Sequence, residues 1–183
     1  MKSLRKYIAV VIGVIALSLV AVNAQSFTAR SNNRSIEDQV RKRILMLPRY
    51  EIFDAIKYEV NGDTVTLTGK VRNATNRKDA ERSVAKIPGV RRVVNEVKIL
   101  PVGNFDESIR VRLYRTLANS GGLSRYLWTT NPSVRLIVDR GHVTLQGYVD
   151  SRGDYNTMNI LAHGVSGVFS VTNNLIVDRE RVR

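Results

Sequence analysis

From Ser35 onward the apolar positions fall into helical and strand rhythms, and the same succession of rhythms occurs twice. Ile36, Val40, Ile44 and Leu47 recur at helical spacing behind Ser35, a plausible N-cap, and Pro48 stops that run. Alternating segments follow at residues 56–60 and 64–71, joined by Asn61-Gly62-Asp63, a hairpin signal. A second helix is predicted from about residue 76 to 86, with Ala80, Val84 and Ile87 on one face and Pro88-Gly89 at its end. A last strand covers 93–100. The order restarts at Asp106, again a capping residue, with Ile109, Leu113 and Leu117 at helical spacing. Strands at 134–138 and 142–149 then flank Asp139-Arg140-Gly141, and a final strand spans 171–177. Between helix and strand the copies differ: Gly121-Gly122 interrupts the second copy, and about five extra residues follow.

Residues 60–99 lie over 138–177 without a gap. Identical pairs include Val65/Val143, Thr66/Thr144, Leu67/Leu145, Gly69/Gly147 and Val71/Val149. Beyond the helix come Gly89/Gly167, Val90/Val168, Val93/Val171 and Asn95/Asn173. The identities fall on apolar and glycine positions, the ones a scaffold needs, so the chain carries a duplicated fold. Alternation of Val65, Leu67 and Val71 with polar residues predicts a sheet buried on one face. Gly69 and Gly147, late in their strands, predict a bulge or a helix packed close against the backbone. The expected fold class is α+β: two tandem αββαβ modules, each a three-stranded sheet with two helices on one face. A module of ~65 residues has a small core, so the two copies are expected to pack on each other.

These residues resemble the BON domain family (bacterial OsmY and nodulation). Its recurrent pattern is a Val-Thr-Leu-x-Gly-x-Val strand, an alanine-containing helix, then Gly-Val-x-x-Val-x-Asn before the last strand. The first half stands here at 65–71 and 143–149, and the second at 89–95 and 167–173, so both halves occur twice and in register. Gly69, Gly89, Gly147 and Gly167 are the structural marks of the motif. The resemblance covers two domains, 35–100 and 106–178. It implies an αββαβ fold and a periplasmic protein of the Gram-negative envelope. The role it implies is binding phospholipid surfaces, tied to envelope integrity or osmotic stress, without enzymatic activity. Relatives held at the outer membrane commonly carry a lipidated cysteine, and this chain has none.

Ahead of the repeat, Lys2, Arg5 and Lys6 precede an apolar run from Tyr7 to Val22 and then Val22-Asn23-Ala24. A basic start, a short apolar stretch and small residues at the −1 and −3 positions make residues 1–24 a secretory signal peptide, cut after Ala24. The competing reading is an uncleaved anchor in the inner membrane, although the run of 16 residues falls short of the ~20 that comfortably span a bilayer. Residues 25–34 are polar and aperiodic, and are expected to be a flexible linker.

Composition changes this picture mainly through charge. The formal net charge is +13, from 29 Lys and Arg against 16 Asp and Glu. Such a surplus favours anionic partners: phospholipid headgroups, nucleic acid or acidic polysaccharide. The absence of cysteine excludes disulfides, thiolate metal sites and a cysteine nucleophile. His142 and His163, the two histidines, occupy unlike places and lack the nearby carboxylates a metal site needs. No phosphate-binding glycine loop, nucleophile elbow or HExxH stands in the chain. No catalytic residue, metal site or cofactor is therefore expected.

The binding candidates are aromatic and basic. Leu123-Ser124-Arg125-Tyr126-Leu127-Trp128 holds the only tryptophan, and Arg125, Tyr126, Leu127 and Trp128 suit a membrane interface, where apolar rings enter and polar tips stay wet. The competing reading packs Leu123, Tyr126 and Leu127 in the core and leaves Trp128 exposed. Arg41, Lys42 and Arg43 lie on the first helix of copy one, and Arg110, Arg112 and Arg115 on the first helix of copy two. Further basic residues stand between 72 and 86, at Arg91-Arg92, and in a tail at 179–183 with Arg179, Arg181 and Arg183. The expected partner is an anionic phospholipid surface, with an adaptor between envelope proteins as the alternative. Nucleic acid conflicts with export and lacks an aromatic stacking platform.

Overall fold

The computed structural model describes residues 33–128 and 130–178. The expected leader, the linker up to residue 32 and the basic tail lie outside the described residues. The first module runs from helix α1 (residues 33–45) through β1 (Ala55–Asn61), β2 (Thr64–Val71) and α2 (Ala74–Ala85) to β3 (Arg92–Asn95) and β4 (Lys98–Ile99). The second runs from α3 (Asn104–Ala118) through a 3-10 turn (Leu123–Tyr126), β5 (Val134–Asp139), β6 (His142–Val149) and α4 (Arg152–His163) to β7 (Ser170–Val177). Both are αββαβ units. The helix start expected at Ser35 lies earlier, since residues 33 and 34 are already helical, and the Ser35 carbonyl accepts from the Gln39 side chain.

In each sheet the second strand is central: β2 pairs antiparallel with β1 and parallel with β3 and β4, and β6 does the same with β5 and β7. Parallel neighbours need a crossover, and α2 and α4 supply it. Val65, Leu67 and Val71 meet Val40 and Ile44 of α1 and Ala80 and Val84 of α2 in one core. Val143, Leu145 and Val149 meet Ile109, Leu113, Met158 and Ala162 in the other. Burying each such Leu, Ile or Val contributes roughly 1.5–3 kcal/mol, so the shared apolar positions specify two helices on one face of each sheet.

The repeated Asn95 and Asn173 gain a physical reason. Each side-chain oxygen accepts from the backbone two residues on (Val97 N, 3.2 Å; Leu175 N, 3.2 Å). Each amide nitrogen donates to a carbonyl of the crossover helix (Arg77, 2.9 Å; Tyr155, 3.2 Å). This residue pins the last strand to the helix before it. The single strand expected at 93–100 is interrupted between β3 and β4, whereas β7 is continuous.

Gly69 and Gly147 have φ of 112° and 126°, and a Cβ on either would fall on the carbonyl oxygen of Ala55 or Ser133. The close neighbour is therefore the backbone of the adjoining strand, not a helix. Gly89 and Gly167 turn the chain against Ile36 and Ile109 of the first helices. Asp106, expected to cap its own helix, does not. Helix α3 begins at Asn104 behind Gly103, and the buried Asp106 carboxylate accepts from the turn amides of Arg140 and Gly141, both at 2.8 Å. It thereby holds the left-handed Arg140 (φ 53°) in the β5–β6 hairpin.

The modules are joined through β5. Val134, Leu136 and Val138 enter the second core, while Arg135 and Ile137 on the opposite face are also buried. Ile137 packs with Ala55 and Leu100 of the first module. Leu136 N donates to Ile52 O at 2.9 Å, and Arg135 donates to Glu51 O at 2.8 Å with its guanidinium 4.3 Å from the Tyr50 ring centre. Lys70 pairs with Asp139, and Arg72 bridges Glu51 (3.0 Å) and Glu107 (2.9 Å).

Gly147→Ala is expected to destabilise the second module by about 2–4 kcal/mol, because its Cβ meets backbone that cannot yield. Gly153→Ala, in ordinary helical backbone with only Ser151 Oγ near its Cβ at 3.5 Å, is expected to leave stability unchanged or improved. Urea unfolding of the two variants checks this; equal midpoints would contradict it.

Candidate functional site

The extra residues of copy two close its core and then leave it. Gly121 and Gly122, with φ of 36° and 81°, reverse the chain after α3. Leu123 and Tyr126 of the 3-10 turn, and Leu127 after it, drop into the second core. Tyr126 and Leu127, which the sequence offers both as interface contacts and as core, are packing residues: their apolar area fills the space beneath the turn. Tyr126 Oη donates to Asp154 at 2.8 Å and accepts from Asp150 N at 3.0 Å and from Arg125 at 2.8 Å. Arg125 lies over the Tyr126 ring (4.5 Å to the centre) and pairs with Asp150 at 3.3 Å and Asp154 at 2.9 Å. Two carboxylates already answer its charge, which leaves little for an external anion.

Trp128 is different. Its backbone N–H is fixed to Ser124 O at 3.0 Å, yet its side chain is 69% exposed. The residue before it, Leu127, is buried in the second core. Leu127 and Thr130, on either side in sequence, line a cleft of about 400 Å³ together with Ile52, Phe53, Tyr114 and Arg115. Exposed Val111 stands on the same α3 face, one turn before Arg115. Apolar walls and a guanidinium therefore meet in a cleft at the junction of the modules, and the chain carries Trp128 between two of the lining residues, Leu127 and Thr130.

The basic candidates separate by environment. Arg110 is buried, donating to Val138 O at 2.8 Å and to Glu107 at 3.2 Å, with Asp106 at 4.0 Å. It is a structural residue of the α3–β5 packing and drops out of the surface set. Arg112 is exposed but tethered to Ser166 O (3.2 Å) and Ser108 Oγ (3.2 Å). Arg115 is exposed at the cleft mouth. Arg41, Lys42 and Arg43 are exposed on α1, with Arg41 turned into a second groove between the modules. His142 contacts Ser170 Oγ at 2.7 Å and His163 the Asn159 carbonyl at 2.8 Å, each locally engaged. Among the described residues no group of His, Cys, Asp and Glu could hold a metal ion. None of the described helices is long and apolar enough to cross a membrane.

One surface was missed. Phe105 and Phe169 are 48% and 68% exposed, with ring centres 5.6 Å apart, and the His142 ring lies 6.0 Å from Phe169. The signal was available in the repeat, where Phe169 stands at the place of Arg91 in copy one. Here an apolar ring replaces a cation at a surface turn.

Tyr126 supplies a titration test. Burial, aided by the Asp154 carboxylate, pushes its phenol from the ordinary 10.0 up to about 12. Its stabilising contribution is fully present below pH 10 and is lost as the pH rises through about 12. The 295 nm absorbance titration of the protein minus that of Tyr126→Phe is expected to have its midpoint near the upper value. A midpoint at the ordinary phenol value would contradict the buried hydrogen-bonded arrangement.

The BON domain family profile matches residues 32–101 and 105–179. No curated protein matches the chain. One solved structure, described as structural studies of CdsD, a structural protein of the type III secretion system of Chlamydia trachomatis, is 13% identical, with a TM-score of 0.31 over 81% of this chain and 95% of that one. Another, the C-terminal domain of CdsD, is 12% identical, with a TM-score of 0.27 over 77% and 96% of the two chains.

Proposed function

The chain belongs to the BON domain family, and on that premise we propose that it is an exported, non-enzymatic protein that docks reversibly on anionic phospholipid surfaces and supports the envelope under osmotic stress. BON domain proteins are typically periplasmic, and the module generally meets membranes or other proteins. The observation that carries the lipid reading is Trp128: an exposed indole whose backbone N–H is bonded to Ser124 O, directly after the buried Leu127. Indole rings favour the headgroup level of a bilayer. Each Lys or Arg near an anionic surface adds roughly 1 kcal/mol, which Arg115, Arg112, Lys42 and Arg43 would supply in a salt-sensitive way.

A second reading, docking of an envelope protein, draws on the Phe105–Phe169 pair. Exposed aromatic rings held in contact are the kind of anchor around which protein interfaces concentrate their affinity.

Flotation with phosphatidylglycerol vesicles is expected to show binding that weakens from low to physiological salt. Trp128→Ser is expected to lower partitioning about tenfold, a loss of about 1.4 kcal/mol. Because Trp128 is the only tryptophan, its emission is expected to shift to the blue on vesicles. Absence of binding at low salt would overturn the lipid reading. Binding that persists without a spectral shift, and is lost in Phe169→Ser, would move the contact to the phenylalanine pair.

A further inference from the structure

The second groove between the modules has a composition unlike the rest of the molecule. It encloses about 680 Å³ between the edge strand β1 with the end of α1 and the open face of the second sheet. Among the described residues three cations line it, Arg41, Lys57 and Arg135, and no carboxylate does. A cleft of one sign with low-dielectric walls focuses its field and concentrates counter-charges.

Its floor is ordered by sheet register. Arg135 pairs across β5–β6 with Gln146, and Gln146 pairs across β6–β7 with Asn174, so three planar polar side chains form one row on the open face. The next row holds Tyr148 opposite Ile176. Tyr50 and Tyr58 line the groove from the first module, and Asn131 stands at the start of the β5 approach. Amide side chains both donate and accept, matching hydroxyl groups. Tyrosine rings offer apolar faces with polar tips. Arg135 is held in place by Glu51 O and the Tyr50 ring. The equivalent row in copy one is Lys57, Thr68 and Glu96, which carries a carboxylate, so the acid-free row belongs to copy two alone.

We infer that this groove binds a linear acidic glycan: carboxylates on Arg41 and Lys57, with the buried Arg135 adding positive field from beneath, hydroxyls on Gln146, Asn174 and Asn131, and sugar faces on the tyrosines. The inference is independent of the lipid reading, because neither Trp128 nor Arg115 lines the groove.

The test titrates the full chain, in physiological salt, with an alginate hexasaccharide, a neutral cello-oligosaccharide of equal length and a hexaglutamate peptide, following amide shifts by NMR. Alginate is expected to shift Lys57, Gln146 and Asn174, and to bind at least tenfold more tightly than either comparison ligand. Arg41→Glu/Lys57→Glu is expected to weaken binding about tenfold or more. Lys78→Glu/Lys86→Glu, the same charge change on exposed positions outside the groove, is expected to change it less than twofold. Tyr148→Leu, with charge unchanged, is expected to lose about fivefold, with thermal melts confirming that each variant folds. Equal weakening by the two charge pairs, shifts mapping elsewhere, or no binding would overturn the inference. Hexaglutamate binding as tightly as alginate would replace the glycan with an acidic peptide and overturn it equally. Vesicle flotation unchanged in Arg41→Glu/Lys57→Glu keeps failure of this inference distinct from failure of the lipid reading.

Discussion

Strand β5 is buried on both faces, and the rest of the arrangement depends on that. An edge strand with one free face would leave the two modules connected only by the short segment after β4. Here Ile137 gives its outer face to Ala55 and Leu100, while Val134, Leu136 and Val138 serve the second core. The edge itself is closed by Leu136 N on Ile52 O, which removes an exposed pairing template as well as joining the halves. Around this joint the ion pairs are peripheral, whereas the buried Arg135 bonds Glu51 O. Lys70 and Asp139 remain partly exposed, so their attraction is screened and orients more than it stabilises. Apolar contact, one backbone hydrogen bond and the buried Arg135 on Glu51 O and the Tyr50 ring hold the modules, and the cleft lined by Leu127 and the cationic groove both lie along the resulting seam.

The duplication explains what the copies share and where they part. Central strands, the close-approach glycines and the pinning asparagines recur because any αββαβ unit of this design must fill one sheet face with two helices and then fix its crossover. Away from those positions the surfaces diverge. Copy one presents Lys42 and Arg43 on α1 and exposed Met46 just after it. Copy two presents Trp128, the Phe105–Phe169 pair and the acid-free row. In the proposed lipid contact, charge comes from both modules and the exposed indole from the second alone. The groove is different, since each module contributes to it.

Much of this was legible along the chain because alternation, helical spacing and gapless self-similarity are local signals. Trp128 emerged as exposed since the residues before it have stronger claims on the core. Other features were not legible for equally physical reasons. Arg110 sits in a basic run, and only the third dimension shows it buried against Val138 O. Asp106 has the identity of a helix cap but serves a turn 34 residues away. Tyr126 carries a polar tip that suits an interface, yet Asp154 and the Asp150 amide satisfy that tip inside. The second buried face of β5 reads in sequence as a continuous apolar run broken by Arg135, with nothing to say what covers it. The groove needs the register of three strands and the docking of two modules before its residues meet.

The claim that the modules form one body through β5 is tested most directly by hydrogen exchange at the Leu136 amide, whose acceptor lies in the other module. If β5 is the joint, this amide exchanges only on the subglobal opening of a module, and Ile137→Glu accelerates it while the core amides Val143 and Leu145 stay protected. Exchange of the unaltered Leu136 amide at the rate of an open edge strand, with both cores intact, would contradict the joint and with it the shared groove.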